Sequence, residues 1–116
     1  MKKIMLATAI VGLLVSPSFA DTKVSDKTKI ERIYTYKTAA VLKLAKAMKK
    51  NSGCTYKNAG KYVALRFGET GSKEMYSAAL SAFVAGKNIK IGTKGCDPIW
   101  TGDGTMNKIY KIQLEK

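Results

Sequence analysis

The clearest pattern of apolar and polar positions lies between Gly60 and Cys96. From Lys61 to Phe67, Val63, Leu65 and Phe67 alternate with Tyr62, Ala64 and Arg66, the period of two of a strand with one buried face. Gly68 to Gly71 breaks the chain. Tyr76, Ala79, Leu80 and Phe83 then fall at i, i+3, i+4 and i+7, with Met75, Ala82 and Val84 widening the stripe, which predicts a helix packed on a core. Ser72 is a suitable N-cap, and Glu74 stands in the first turn, where the helix dipole favours negative charge. Gly86 sits where a left-handed C-cap belongs, and Ile89 and Ile91 restart a short strand.

The flanks are less regular. Asp21 to Asp26 is polar and reads as an extended or frayed terminus. Lys27 to Tyr36, rich in Ile, Tyr and Thr, predicts a strand with Ile30, Tyr34 and Tyr36 on one face and Glu31, Ile33 and Thr35 on the other. Thr38 to Lys50 supports two structures. Val41, Leu44, Ala45 and Met48 form a helical stripe with lysines outside it, whereas Ala40, Leu42 and Leu44 alternate with Val41 and Lys43 as the return arm of a hairpin; local propensity slightly prefers the helix. Asn51 to Gly60 is turn chemistry around Cys54, and Gly92 to Asn107 predicts a loop in which Asp103-Gly104 can form a tight turn. Lys108 to Leu114 closes the chain as a strand, with Tyr110, Ile112 and Leu114 alternating with Ile109, Lys111 and Gln113.

Residues 1–20 carry the marks of a secretory signal: Lys2 and Lys3, the apolar run Ile4 to Val15, and Ser18-Phe19-Ala20 as a small-x-small cleavage site. A run of about 12 residues is too short to cross a hydrocarbon layer of roughly 30 Å, and nothing later is apolar enough to do so. The expected product is one domain, residues 21–116, periplasmic or secreted. In an oxidising compartment Cys54 and Cys96, the only cysteines, are expected to pair. The chain has no histidine and no C-x-x-C spacing, so neither a zinc site nor another metal or cofactor is expected.

Charge adds a bias toward anionic partners. Of the +13 on the whole chain, Lys2 and Lys3 would leave with the signal, so +11 remains. Arginine occurs only at Arg32 and Arg66. Lysine, a flexible point charge, suits diffuse attraction more than shaped recognition.

The succession of a strand, MYSAALSAFVAGKNIKI, GC, a Gly/Asp-rich loop and a final alternating strand, with TKIERIYTY and Cys54 upstream, resembles a loose group of small secreted bacterial proteins. Members of that group are OB-like β-barrels with one helix, related in shape to the receptor-binding B subunits of AB toxins. The resemblance implies an α+β fold: a small antiparallel barrel or curled sheet of about five strands around one helix. It also implies that Ala39 to Ala45 is a strand opposite Lys29 to Tyr36, and that Cys54 bridges Cys96. Toxin B subunits of this shape assemble as rings and bind sugars, which leaves a homo-oligomer open to this chain. Their sugar-contact residues have no counterparts that can be matched here.

Catalysis finds little to work with. No histidine can activate Ser52, Ser72, Ser77 or Ser81, and the carboxylates fall mostly at turns, a helix cap or the termini. Gly68 to Gly71 lacks the P-loop lysine and the Rossmann glycine pattern. A non-enzymatic role is therefore expected. The candidate binding surface is the loop around Trp100, the one tryptophan, with Asp97, Thr101 and Asp103, joined by Tyr36, Tyr62 and Arg66. The plainer role of Trp100, covering one end of the barrel, is the favoured one. Tyr34, Tyr36, Tyr56 and Tyr62 with nearby lysines would also suit nucleic acid, but an exported protein seldom meets it. The leading expectation is an exported module that recognises an anionic glycan or surface. The alternative is a periplasmic inhibitor or immunity-type protein for an acidic protein partner. A third is a membrane-active helix over Thr38 to Lys50.

Overall fold

The computed structural model describes residues 22–48, 53–100 and 102–115. The expected signal segment, 1–20, lies outside the described residues. Six strands and one helix follow in the order β1 (Thr22–Val24), β2 (Ile30–Thr35), β3 (Ala39–Leu44), β4 (Tyr62–Arg66), α1 (Ser72–Ala85), β5 (Ile89–Asp97) and β6 (Met106–Leu114). They build a single sheet in the order β1-β5-β6-β4-β3-β2. Neighbours are antiparallel except β4 and β6, which run parallel. Among the described residues, no helix is long and apolar enough to cross a membrane.

The sheet is open and curled. One run of chain, residues 22–35, supplies both of its edges: β1 pairs with β5, and β2 pairs with β3. Between them Thr28 makes a lone bridge to Ile89, donating its N–H to the Ile89 carbonyl at 2.9 Å and accepting the Ile89 N–H at 2.7 Å. The segment expected to fray is therefore an edge strand, with the buried Ser25 hydroxyl accepting the Ile91 N–H at 2.8 Å. The strand count is six rather than about five for the same reason.

Ala39–Leu44 is a strand, as the resemblance implied and against the local helical preference. Ala40, Leu42 and Leu44 face α1 while Ala39 and Val41 face away, and all five are buried. A central strand covered on both faces reads as a near-continuous apolar run, and such a run meets a helical stripe by coincidence. Burial of this strand also removes the membrane-active helix.

Beneath α1 lies the main core, with Leu42, Leu44, Val63, Leu65, Ile89 and Ile91 at its centre. The helix packs over β6, β2 and β4 through Ala79 and Ala82, flanked by Met75 and Tyr76. These alanines let its backbone sit close to the sheet. Leu80 and Phe83, expected in the buried stripe, are partly exposed, and Val84 is 83% exposed. The helix start also differs from expectation: Gly71 is the N-cap with no side-chain cap bond, and Ser72 is a buried first helical residue. Gly86 does close the helix in the left-handed region (φ 65°), with its N–H on Phe83 and the Lys87 N–H on Ala82.

Two other expectations change. Half of the predicted loop from Gly92 to Asn107 is sheet, because β5 continues to Asp97 and β6 begins at Met106; bulges at Gly92/Thr93 and between Thr93 and Cys96 absorb Gly92 and Gly95. A register shift between Ile30 and Arg32 turns β2 over, so Ile30 joins the helix-side core while Tyr34 faces the other way.

Candidate functional site

The face of the sheet away from α1 carries the site. Its floor is small: Val41 stands opposite Ala64 in the β3–β4 ladder, and Met106 completes a second buried cluster. With no helix to cover them, these side chains would lie open to water, and an aromatic layer shields them instead. Tyr34 comes from β2, opposite Val41; Tyr62 comes from β4; Tyr56 comes from the 53–60 segment; and Trp100 comes from the loop between β5 and β6.

Trp100 is the hub. Its ring centroid lies 5.2 Å from Tyr34, 5.4 Å from Tyr62 and 5.6 Å from Tyr56, with the Tyr34 contact edge-on at 89°. Tyr56 meets Tyr62 edge-on at 5.5 Å. Ring edges carry partial positive charge and ring faces negative, so such packing adds specific attraction to the burial of area. The indole Nε1–H donates to the Tyr36 hydroxyl at 2.7 Å. Tyr36 lies between β2 and β3, so this bond joins two loops that meet only in space.

The 53–60 segment is fastened to the same loop. Cys54 and Cys96 form the disulfide, with Cα atoms 5.6 Å apart. Next to it the Thr55 N–H donates to Thr105 Oγ1 at 3.0 Å, the Thr105 N–H returns to Thr55 Oγ1 at 2.9 Å, and the Tyr56 N–H donates to the Thr105 carbonyl at 2.8 Å. Gly104 permits this approach: its φ is 98°, and a Cβ there would lie 2.7 Å from Thr55 Oγ1 and 2.9 Å from the Tyr56 nitrogen. The buried Asn107 amide donates to the Ala59 carbonyl at 2.9 Å.

Charge on this face is arranged unequally. Arg66 Nε donates to Asp97 Oδ2 at 3.1 Å and its Nη2 donates to Oδ1, a bidentate pair with the Asp97 side chain 8% exposed. The carboxylate holds the Arg66 guanidinium above its ordinary pKa, chiefly through that hydrogen bond. Arg32 is exposed, and its Nη1 donates to the Tyr34 hydroxyl at 3.1 Å. The Tyr56 phenol is pushed above its usual value, first by burial and then by the neighbouring Tyr62.

Of the residues singled out in the sequence, Trp100, Tyr36 and Tyr62 come together in one surface. Arg66 and Asp97 occupy each other. Asp103 is exposed on the Trp100 loop, its N–H donating to the Trp100 carbonyl at 3.0 Å, so this turn closes at Asp103, two residues ahead of a turn centred on the expected Asp103-Gly104 pair. Thr101 lies outside the described residues. As binding residues, Tyr34 and Tyr56 entered the sequence reading only as part of a nucleic-acid face. The bulge in β2 hid the parity that would have placed Tyr34 beside Trp100. The one signal for Arg32 was its rarity, as one of two arginines in the chain.

On the helix side, a cleft of about 340 Å³ is lined by Thr35, Phe67, Gly68, Ser72, Lys73 and Tyr76. The Thr35 and Tyr76 hydroxyls bond across it at 2.7 Å, and its walls are mostly apolar. It shares no lining residue with the aromatic surface. No protein-family model, curated protein or solved structure matches the chain.

Proposed function

We propose that this chain is an exported, non-enzymatic OB-like module that binds an anionic glycan, or a surface bearing one, through the aromatic face around Trp100. The OB plan is a five-stranded, partly open Greek-key barrel that takes oligosaccharides and oligonucleotides on the face of its second and third strands and in the loops joining strands one to two and four to five. With β1 set aside as an edge addition, the order β2-β3-β4-β6-β5, the parallel β4/β6 pair and the helix between β4 and β5 agree with that plan. The corresponding loops carry Tyr36 and Trp100. The Trp100–Tyr36 hydrogen bond is the observation that carries this reading, because it pre-assembles both loops into one aromatic surface before any ligand arrives. The net positive charge adds long-range attraction for an anionic partner.

A glycan array probed with the wild type and with Trp100→Ala tests this. Stacking of a nucleic-acid base on an aromatic side chain contributes about 1–3 kcal/mol, and with a sugar ring taken as comparable the variant is expected to lose about fivefold to 150-fold in affinity while its far-ultraviolet circular dichroism stays native. An empty array with correctly folded wild type overturns the proposal.

The second reading, a protein-directed inhibitor or immunity-type protein, draws on a different surface. Leu80, Phe83 and Val84 are exposed along α1, with Lys73 and Lys87 exposed on or next to the same helix. A stoichiometric acidic envelope protein, captured by the wild type and lost on Val84→Asp, would favour that reading over the first.

A further inference from the structure

The two arginines of the aromatic face differ in a way that points to a ligand. Arg66 is filled: both arms of its fork rest on the Asp97 carboxylate, which leaves it a structural strut. Arg32 is oriented without being neutralised. Its guanidinium carbon lies 5.8 Å from the Tyr34 ring centroid, and Nη1 donates to the Tyr34 hydroxyl, a neutral acceptor. Among the described residues no carboxylate pairs with Arg32; Glu31, its chain neighbour, has Lys43 at 3.5 Å instead. Tyr34 in turn is gripped edge-on by Trp100. A phenol that accepts a hydrogen bond from arginine still has its own O–H to donate. The remaining Arg32 N–H groups and the Tyr34 O–H therefore sit side by side as donors, at the rim of a surface suited to sugar rings, with no acceptor supplied for them among the described residues.

We infer that Arg32, held by Tyr34, is the anion-reading residue of this surface, and that its ligand is a sugar bearing a ring carboxylate. A planar fork matches a carboxylate through two parallel hydrogen bonds, which a lysine cannot reproduce. The surrounding lysines supply attraction without shape, and Arg32 supplies the shape. This inference rests on the glycan-binding reading and adds the residue and the chemical group that set its specificity.

The test uses an array of matched pairs: oligosaccharides ending in glucuronate or galacturonate, their carboxyl-reduced neutral counterparts, and sulfated versions of the same neutral sugars. The wild type is expected to bind an acid at least about tenfold more tightly than its reduced partner. Arg32→Gln erases that preference, and Arg32→Lys restores little of it. Arg32 is exposed, so both variants are expected to keep the wild-type melting temperature. Equal wild-type binding of acid and reduced sugar overturns this inference alone. So does an undiminished preference in Arg32→Gln, or a preference confined to sulfate. Binding to no member of any pair overturns the glycan reading beneath it.

Discussion

Replacing Cys54 and Cys96 together by serine is expected to remove about 4 kcal/mol from the unfolding free energy. The bridge spans 42 residues, and in the chain-entropy description a cross-link over a loop of that length costs the unfolded chain about this much freedom. For a domain this small that is a large share of a total stability of about 5–15 kcal/mol. A second effect follows from where the bridge lies. It fastens the 53–60 segment to β5 beside the Thr55–Thr105 bonds, so its loss loosens Tyr56 against Trp100 and Tyr62. Urea unfolding reads the first effect, and near-ultraviolet circular dichroism of the folded state reads the second as a weakened aromatic signal. A loss under about 1 kcal/mol with the aromatic signal intact would show that the bridge neither stabilises the fold nor organises the site.

Leu42→Ala is the other large change, with an expected cost of about 3 kcal/mol within the usual range of roughly 2–5 for buried leucine truncations. Leu42 is 0% exposed at the centre of β3, opposite Ile33 on one side and Val63 on the other, under the helix. Val84→Ala, on the outer face of α1, is expected to stay within about 0.5 kcal/mol. The pair of variants also discriminates between the two structures the sequence allows for this segment. A helix with Val41, Leu44, Ala45 and Met48 inward would leave Leu42 outside, and its truncation would then cost little. Equal costs for Leu42→Ala and Val84→Ala, measured by chemical denaturation, would contradict the strand.

These contrasts also show how far residue pattern alone reaches. β4, α1 and β6 were legible as elements, but their faces were only partly so: Ala64 of β4 is buried on the face away from the helix, Leu80 and Phe83 of α1 are exposed, and in β6 Ile109 is buried while Tyr110 and Leu114 are exposed. β3 was not, since a strand dry on both faces loses its alternation. The extent of β5 was hidden for a different reason: Gly92 and Gly95 read as loop residues, while in the sheet they sit at or beside its bulges. The disulfide followed from the cysteine number and the expectation of export. Of the site, the prominence of Trp100 and its association with Tyr36 and Tyr62 were visible. The clasp between Thr55 and Thr105 was not, because a 50-residue separation leaves no local trace. Nor was the division of labour between Arg66 and Arg32, which depends on which carboxylate each guanidinium meets after folding.

The most direct measurement is nuclear magnetic resonance mapping with the tightest-binding array glycan. The Trp100 indole N–H, the Tyr34 and Tyr36 rings and the Arg32 Nε–H are expected to show the largest shifts, while Met75 and Tyr76, on the core side of α1, stay unmoved. An unmoved indole, with shifts gathered along α1 or around the cleft at Thr35 and Phe67, would contradict a binding surface built on Trp100.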